Sequence, residues 1–125
     1  KNLSKFERNC LCEIKKKNIR LLCLAGFMKI LSKNFIKSFG HKILNIHPSL
    51  LPKYKGLNTH KRALKNKEKY SGCTVHFVND KLDSGKIISQ KKVFIKENET
   101  ENSLKVKILK QEHSLYPKSI IAVFK

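Results

Sequence analysis

The sequence predicts an α/β domain in which helices flank a largely parallel sheet. Apolar runs of strand length, at 19–27, 42–47 and 73–78, alternate with segments whose apolar residues recur every three or four positions. The 125 residues suffice for a single hydrophobic core. A hydrophobic content of 40% is typical of a folded chain. We therefore expect one α/β domain over residues 1–125.

Helical periodicity marks four segments: 4–17, 32–39, 59–66 and the residues from 99 onward. Ser4 and Glu7 have the spacing of a capping box, and Gly40 ends the second helix. Thr100 or Asn102 caps the last one. The expected inward residues of the first helix are Phe6, Cys10 and Ile14, with Leu11 as a further candidate, and those of the last helix are Leu104, Ile108 and Leu115.

Four segments predict strands. The continuous apolar run at 19–27 is typical of a strand that is covered on both faces, and 42–47 is a shorter strand. After a turn at Ser71-Gly72, the β-branched and aromatic residues of 73–78 form a third strand. The imperfect alternation of 87–95 predicts an outer strand, preceded by a polar loop at 79–87.

The net charge of +19, from 28 Lys and Arg against 9 Asp and Glu, makes nucleic acid or an acidic surface a partner to consider. The positive residues are mostly lysines and are scattered along the chain. They lack the arginine and aromatic clusters that stack on bases. This pattern indicates a solvated surface and disfavours nucleic-acid binding, although a basic nucleic-acid-binding module stays an alternative.

The four cysteines, Cys10, Cys12, Cys23 and Cys73, lack the paired spacing of a structural zinc site. Reduced thiols in the cytoplasm are the simplest interpretation, and we expect no metal. No apolar run approaches the roughly 20 residues of a membrane-spanning helix. We therefore expect a soluble cytoplasmic protein with no membrane partner.

Polar residues stand where the second strand ends. Asn45 and His47 share one face of that strand, and Asp83 lies in the loop at 79–87. In α/β sheets ligands bind just beyond the carboxyl ends of the strands. An Asp beside a His orients the ring and keeps it charged, so the imidazolium of His47 and the amide of Asn45 would stabilise an oxygen that becomes negative. The His47–Asp83 pair could also move the proton that an attacking amine releases. Neither Ser49 nor Cys73 has the sequence context of a catalytic nucleophile. Asn45, His47 and Asp83 therefore suit direct acyl transfer, without a covalent intermediate.

A structural role is the alternative for every histidine in the chain. A histidine at a strand end is often only a satisfied polar residue of the core. The same interpretation applies to the remaining candidates, which are His60, His76 and His113. For His76, in the middle of a predicted strand, packing and one hydrogen bond would be a sufficient explanation.

Longer motifs resemble a known family. LAGFMKILS (24–32), LNIHPSLLPKYKGLNTHKRAL (44–64), GCTVHFV (72–78), LDSGKII (82–88) and QEHSLYP (111–117) are similar to phosphoribosylglycinamide formyltransferases in order and spacing. The resemblance covers nearly the whole chain. It implies a Rossmann-like formyltransferase fold and transfer of a formyl group from 10-formyltetrahydrofolate, as co-substrate, to the amine of glycinamide ribonucleotide in purine synthesis.

The resemblance also implies roles for individual residues. The catalytic residues would be Asn45, His47 and Asp83. Glu112 would contact the ribonucleotide. The folate would be bound by Met28, Lys29, Ile30, Leu31, Ile36, Asn45, Asn79, Asp80, Lys81, Leu82 and Asp83.

Methionyl-tRNA formyltransferase is the nearest alternative, because it shares the Asn-x-His and S-L-L-P elements. In that enzyme the following loop typically continues with G-A-A-P, whereas this chain has GLNTH and the tail QEHSLYP. The family also begins with a strand and a glycine-containing phosphate-binding loop. We therefore expect this chain to be the carboxyl-terminal two-thirds of a family member, lacking the amino-terminal strands, with an unpaired edge on its first strand.

Overall fold

The computed structural model describes residues 3–27 and 29–124 and confirms the α/β class. The helices are α1 (Lys5–Lys16), α2 (Lys33–Phe39), α3 (Thr59–Lys65) and α4 (Glu101–Phe124). The strands are β1 (Leu21–Ala25), β2 (Lys42–His47), β3 (Tyr70–Phe77) and β4 (Ile87–Phe94). Every predicted helix and strand is present, with ends that differ by a few residues.

The sheet is mixed, with the order β1-β2-β3-β4. β1 and β2 are parallel, but β2 pairs with β3 and β3 with β4 in antiparallel fashion. The expected largely parallel sheet is therefore wrong for the described strands. One reason is the connection between β3 and β4: segment 78–86 is shorter than the dozen or more residues that a parallel crossover needs.

The turn predicted at Ser71-Gly72 is wrong, because both residues lie inside β3. A Cβ atom on Gly72 would overlap the carbonyl oxygen of Lys91 in β4. Gly72 thus permits the close approach of β3 and β4. A close approach of two backbones is a common reason for a glycine inside a strand. The prediction that the last strand is an outer one is confirmed, since β4 lies at the edge of the sheet.

The two faces of the sheet bury different clusters. On one face, residues of β2 and β3 pack against α4: Leu44, Ile46, Cys73, Val75, Leu104 and Ile108. On the other, Ile43 packs against α1 and α2, together with Leu11, Leu31 and Phe35. Side chains alternate along a strand, so Asn45 and His47 project from the same face as Ile43.

The helix ends follow the sequence signals. Ser4 and Glu7 form the predicted capping box at α1, and Gly40 ends α2 with a φ of 70°. The backbone N–H of Ser103 donates to Oγ1 of Thr100 at 3.0 Å, which makes Thr100 the cap of α4. The buried residues of α1 are Glu7, Leu11 and Ile14, so the prediction is confirmed for Leu11 and Ile14 and wrong for Phe6, which is 42% exposed.

Within residues 3–27 and 29–124, none of the helices combines the length and the apolar character that crossing a bilayer requires.

Candidate active site

The loop after β2 is ordered by buried hydroxyl groups. Thr74 on β3 donates its hydroxyl to the carbonyl oxygen of Ser49 at 2.7 Å and accepts the N–H of Leu51 at 3.1 Å. Ser49 in turn donates its hydroxyl to the carbonyl of Lys53 at 2.7 Å. Ser49 and Thr74 are fully buried, so these bonds satisfy groups that would otherwise destabilise the fold. The loop therefore holds a fixed shape around the end of β2.

His47 is buried, and each of its ring nitrogens faces an acceptor. Nε2 donates to the carbonyl oxygen of Tyr54 at 2.8 Å, and Nδ1 lies 3.5 Å from Oδ2 of Asp83. Burial lowers the pKa of His47, and this effect outweighs the Tyr54 carbonyl and the Asp83 carboxylate, which raise it. The sequence correctly predicted the direction of the Asp83 effect. The expectation that Asp83 keeps His47 charged is wrong, because the net shift favours the neutral ring.

Asp83 connects three parts of the site. Its side chain is 8% exposed, and Oδ2 accepts the backbone N–H of Gly56 at 2.8 Å. Oδ1 lies 3.9 Å from Nε2 of His76. Asp83 has a φ of 47°, a left-handed conformation that Asp tolerates better than most residues. The carboxylate therefore joins the loop after β2, the loop before β4 and strand β3.

The loop that carries Asp83 is fixed at both of its sides. The N–H of Phe77 donates to the carbonyl of Lys86 at 2.9 Å, and Nζ of Lys55 donates to the hydroxyl of Ser84 at 3.1 Å. A Cβ atom on Gly85 would overlap the carbonyl oxygen of Phe77. A glycine at this position is thus required for the loop to fold back on β3.

Asn45 is oriented by His76. Nδ1 of His76 donates to the carbonyl of Phe77 at 2.9 Å, so Nε2 of the neutral ring is an acceptor. It receives the side-chain amide of Asn45, whose Nδ2 lies 3.3 Å away. The Asn45 amide has a second N–H, and its buried Oδ1 has no partner among the described residues. The amide group is thus fixed in direction while part of its hydrogen-bonding capacity stays free.

A small cleft lies beside these residues. Its volume is about 40 Å³, and it is lined by Leu24, Phe27, Lys29, Ile30, Leu31, Asn45, His76, Val78, Asn79, Lys81, Leu82 and Asp83. Most of the folate contacts that the resemblance implies are therefore on one surface. Pockets for ligands of drug size usually enclose about 300–1,000 Å³.

Other predicted residues lie apart from this cleft. Met28 lies outside the described residues. Ile36 packs with the cluster of α1 and α2, and Asp80 is exposed. His47 is near Asp83 but is not among the residues that line the cleft. Glu112 belongs to α4, on the opposite face of the sheet, and burial raises its pKa. Burial, followed by the charge of Glu112, raises the pKa of Cys73.

The sequence assigns no role in the site to two contributors. For His76, the sequence pattern indicates packing and one hydrogen bond, but the residue contacts Asn45 and lines the cleft. The register places Asn45 directly opposite His76, a relationship that only the antiparallel pairing reveals. Tyr54 contributes a backbone carbonyl, and no sequence pattern marks such a contact. In the described part of the chain, no group of three or more His, Cys, Asp or Glu residues is arranged to hold a metal ion.

The chain is similar to proteins of known function over most of its length. The family model described as formyl transferase matches residues 1–120. The phosphoribosylglycinamide formyltransferase of Escherichia coli is 44% identical over 112 residues, which are 90% of this chain and 53% of that protein. The trifunctional purine biosynthetic protein adenosine-3 of Chironomus tentans is 50% identical over 108 residues, which are 86% of this chain and 8% of that protein.

Solved structures agree with these relatives. The crystal structure of phosphoribosylglycinamide formyltransferase from Bacillus halodurans matches with a TM-score of 0.92 at 35% identity, over 99% of this chain and 65% of that one. The enzyme from Anaplasma phagocytophilum matches with a TM-score of 0.86 at 44% identity, over 90% and 54% of the two chains. This chain spans about half the length of the bacterial relative from Escherichia coli. By its sequence and its Rossmann-like fold, the chain belongs to the formyl transferase family.

Proposed function

We propose that this chain carries the folate-binding and catalytic part of a phosphoribosylglycinamide formyltransferase, acting in the cytoplasm. The reaction moves a formyl group from 10-formyltetrahydrofolate to the amine of glycinamide ribonucleotide. The observation that carries the proposal is the placement of Asn45 and Asp83 on one cleft, with Nδ1 of His47 3.5 Å from Oδ2 of Asp83. The names of the relatives support the choice of acceptor.

The folate co-substrate fits the residues that form the cleft. Leu24, Phe27, Ile30, Leu31 and Val78 give an apolar wall for a planar ring. The buried Oδ1 of Asn45 is an unpartnered acceptor at the same place, and a ligand donor would remove the cost of burying it. Met28, Ile36 and Asp80, implied by the resemblance, stay part of the proposal as residues that a bound folate reaches.

The chemistry is attack of the ribonucleotide amine on the formyl carbon. The formyl oxygen then becomes negative, and the free N–H of the Asn45 amide stabilises it at little reorganisation cost because His76 already fixes the amide. His47 takes the proton that the amine loses, and Asp83 orients the ring and stabilises its cation. When the tetrahedral intermediate collapses, the bond between the formyl carbon and N10 of the folate breaks, and N10 takes up the proton from His47. Glu112 binds the ribonucleotide from the α4 side of the sheet.

The lowered pKa of His47 is compatible with this sequence of events. Burial keeps the ring neutral before reaction, so His47 is ready to accept a proton at neutral pH. The Asp83 carboxylate then favours the imidazolium once it forms. His47 acts first as an acceptor, and its charge develops during transfer.

A formyl-transfer assay tests the proposal. It uses 10-formyltetrahydrofolate with glycinamide ribonucleotide and, in parallel, with methionyl-tRNA. The proteins are this chain and the longest open reading frame that contains it. We expect transfer to the ribonucleotide by the longer protein and its loss in the Asp83→Asn variant of that protein. Transfer to the tRNA alone, or to neither acceptor, would overturn the proposal.

A further inference from the structure

Tyr54 has a backbone conformation that is unusual for an aromatic residue. Its φ is 56°, in the left-handed region that bulky side chains occupy only where the surroundings hold them. In this conformation its carbonyl oxygen points at His47, whose Nε2 lies 2.8 Å away. The hydroxyl of Ser49 lies 3.3 Å from the same oxygen. The backbone conformation of Tyr54 therefore determines which group Nε2 of His47 contacts.

The Tyr54 side chain is anchored on the segment after α3. Its hydroxyl donates to Oε2 of Glu68 at 2.7 Å and accepts the amide of Asn66 at 2.9 Å. The guanidinium of Arg62 lies 5.4 Å from the ring centroid. Burial, followed by the bond to Glu68, raises the pKa of Tyr54, while the Tyr54 bond and Lys53 lower the pKa of Glu68. The Tyr54 phenol thus stays protonated and donates to the ionised carboxylate of Glu68. Such a charge-assisted hydrogen bond is strong.

The two ring nitrogens of His47 face two groups that can only accept, the Tyr54 carbonyl at Nε2 and the Asp83 carboxylate at Nδ1. A neutral imidazole has one N–H, and its two tautomers differ little in energy, so the better hydrogen bond selects between them. The contact of Nε2 with the Tyr54 carbonyl is 2.8 Å, whereas Nδ1 lies 3.5 Å from Asp83, so this geometry favours a proton on Nε2. The charges of Asp83, His76 and Arg62 also act on the ring.

We propose that the Tyr54 side chain, anchored by Glu68, positions the Tyr54 carbonyl so that His47 keeps its Nε2 proton and exchanges protons only through Nδ1. Tyr54 and Glu68 are positioning residues, since they act through His47. The inference deepens the proposed function and rests on it only for its meaning in catalysis. In the transfer step, an N–H bond of the attacking amine breaks and an Nδ1–H bond forms, next to the Asp83 carboxylate that stabilises the cation.

The test is the tautomer of His47, read from long-range ¹H–¹⁵N NMR spectra of this chain at alkaline pH. The signals of His47 are assigned by their absence in His47→Gln. We expect a protonated Nε2 and a bare Nδ1 in the wild type. In Tyr54→Phe and Glu68→Ala, the difference between the two ¹⁵N shifts should fall toward that of a mixture of tautomers.

Matched controls separate this effect from a general change in stability. Tyr70→Phe removes a phenol hydroxyl from a ring that is 47% exposed, and Glu13→Ala removes a carboxylate that is 60% exposed. Both should leave the His47 shifts unchanged. If the Tyr54→Phe variant does not fold, the Glu68→Ala variant tests the inference alone, because the Glu68 side chain is partly exposed.

Two results would overturn the inference. A bare Nε2 in the wild type would contradict the tautomer, and unchanged His47 shifts in a folded variant would contradict the anchor. Because the spectra require no turnover, a failure of this inference is distinguishable from a failure of the proposed function.

Discussion

The amide of Asn45 and the imidazole of His76 are directly opposed across β2 and β3, with Nδ2 of Asn45 3.3 Å from Nε2 of His76. The other nitrogen of His76 donates to the carbonyl of Phe77, so the backbone of β3 fixes the ring. The direction of the Asn45 amide therefore depends on a bond that is made inside the neighbouring strand. His76 links the stability of the sheet to the geometry of the site.

The first prediction is an energetic coupling between these two residues. A double-mutant cycle with Asn45→Ala, His76→Ala and the double variant should give a coupling of about 0.5–1.5 kcal/mol in the free energy of unfolding, the usual net value of one hydrogen bond. Urea denaturation of this chain measures it. The variant His76→Gln, whose carbonyl oxygen can accept the Asn45 N–H, should recover part of the loss. A coupling of zero within error would mean that the pair has no energetic significance.

The second prediction concerns Asp83. In the longer protein of the proposed assay, Asp83→Asn should keep an acceptor for the Gly56 N–H but remove the charge that faces His47. We expect turnover to fall about 10²–10⁴-fold, the usual contribution of general acid–base catalysis, because the ring loses the partner that stabilises its cation. Steady-state kinetics with glycinamide ribonucleotide provide the measurement. Glu97→Gln, an exposed carboxylate outside the site, is the control, and equal rates for the two variants would refute the role of Asp83.

The third prediction compares two glycines. Gly85→Ala should destabilise the chain by about 1–3 kcal/mol, because the new Cβ would overlap the Phe77 carbonyl and force the Asp83 loop away from β3. Gly40→Ala, at the end of α2, meets only the carbonyl of Lys37 at 3.8 Å. Its cost should be limited to about 1–2 kcal/mol from its left-handed φ.

Stability alone would not separate the two glycine variants, so the environment of His47 is the second measurement. The His47 ring signals in NMR spectra should move in Gly85→Ala and stay in place in Gly40→Ala. His47 signals that stay in place in both variants would show that the Asp83 loop does not depend on Gly85.

Much of the site was predictable because its signals are local. Asn45 and His47 stand two residues apart on a strand whose ends the sequence gives correctly, and the capping residues mark where each helix begins. Asp83 stands in a polar loop that the sequence marks, and the motif LDSGKII (82–88) gives it the same role. The signals for strands, helix caps and motifs each depend on a few neighbouring residues. They can therefore be recognised in the sequence without knowledge of the fold.

The unpredicted features depend on contacts between distant segments. The antiparallel pairing of β3 brings His76 to Asn45, and an apolar run has no property that fixes the direction of its partner. The net pKa of His47 follows from burial, which belongs to the folded state. Glu7 is a further example of a feature that depends on distant segments. Its spacing from Ser4 predicts the cap of α1, but not its hydrogen bonds with Ser32, which form a second set.

The last prediction concerns that second set of bonds and the pH dependence of stability. Oε2 of Glu7 accepts the backbone N–H of Ser32 at 2.8 Å, and Oε1 accepts the Ser32 hydroxyl at 3.0 Å, so one carboxylate supports the first turns of both α1 and α2. Burial acts to raise the pKa of Glu7, but the bonds from Ser32 and Ser4 outweigh it and lower the pKa. The stabilisation is therefore present above the unfolded-state value of 4.5 and disappears as the pH falls through the folded-state value.

We expect Glu7→Gln to lower the free energy of unfolding by about 1–3 kcal/mol at neutral pH, because hydrogen bonds to a charged acceptor are stronger than those to an amide. The difference from the wild type should shrink steadily as the pH is lowered below the ordinary pKa of a glutamate. Urea denaturation at a series of pH values measures it. Glu13→Gln, an exposed member of an ion pair with Lys16 at 3.5 Å, is the control and should change stability by less than about 1 kcal/mol at any pH. A Glu7→Gln deficit that is the same at acid and neutral pH would show that the side chain acts through its shape and not through its charge.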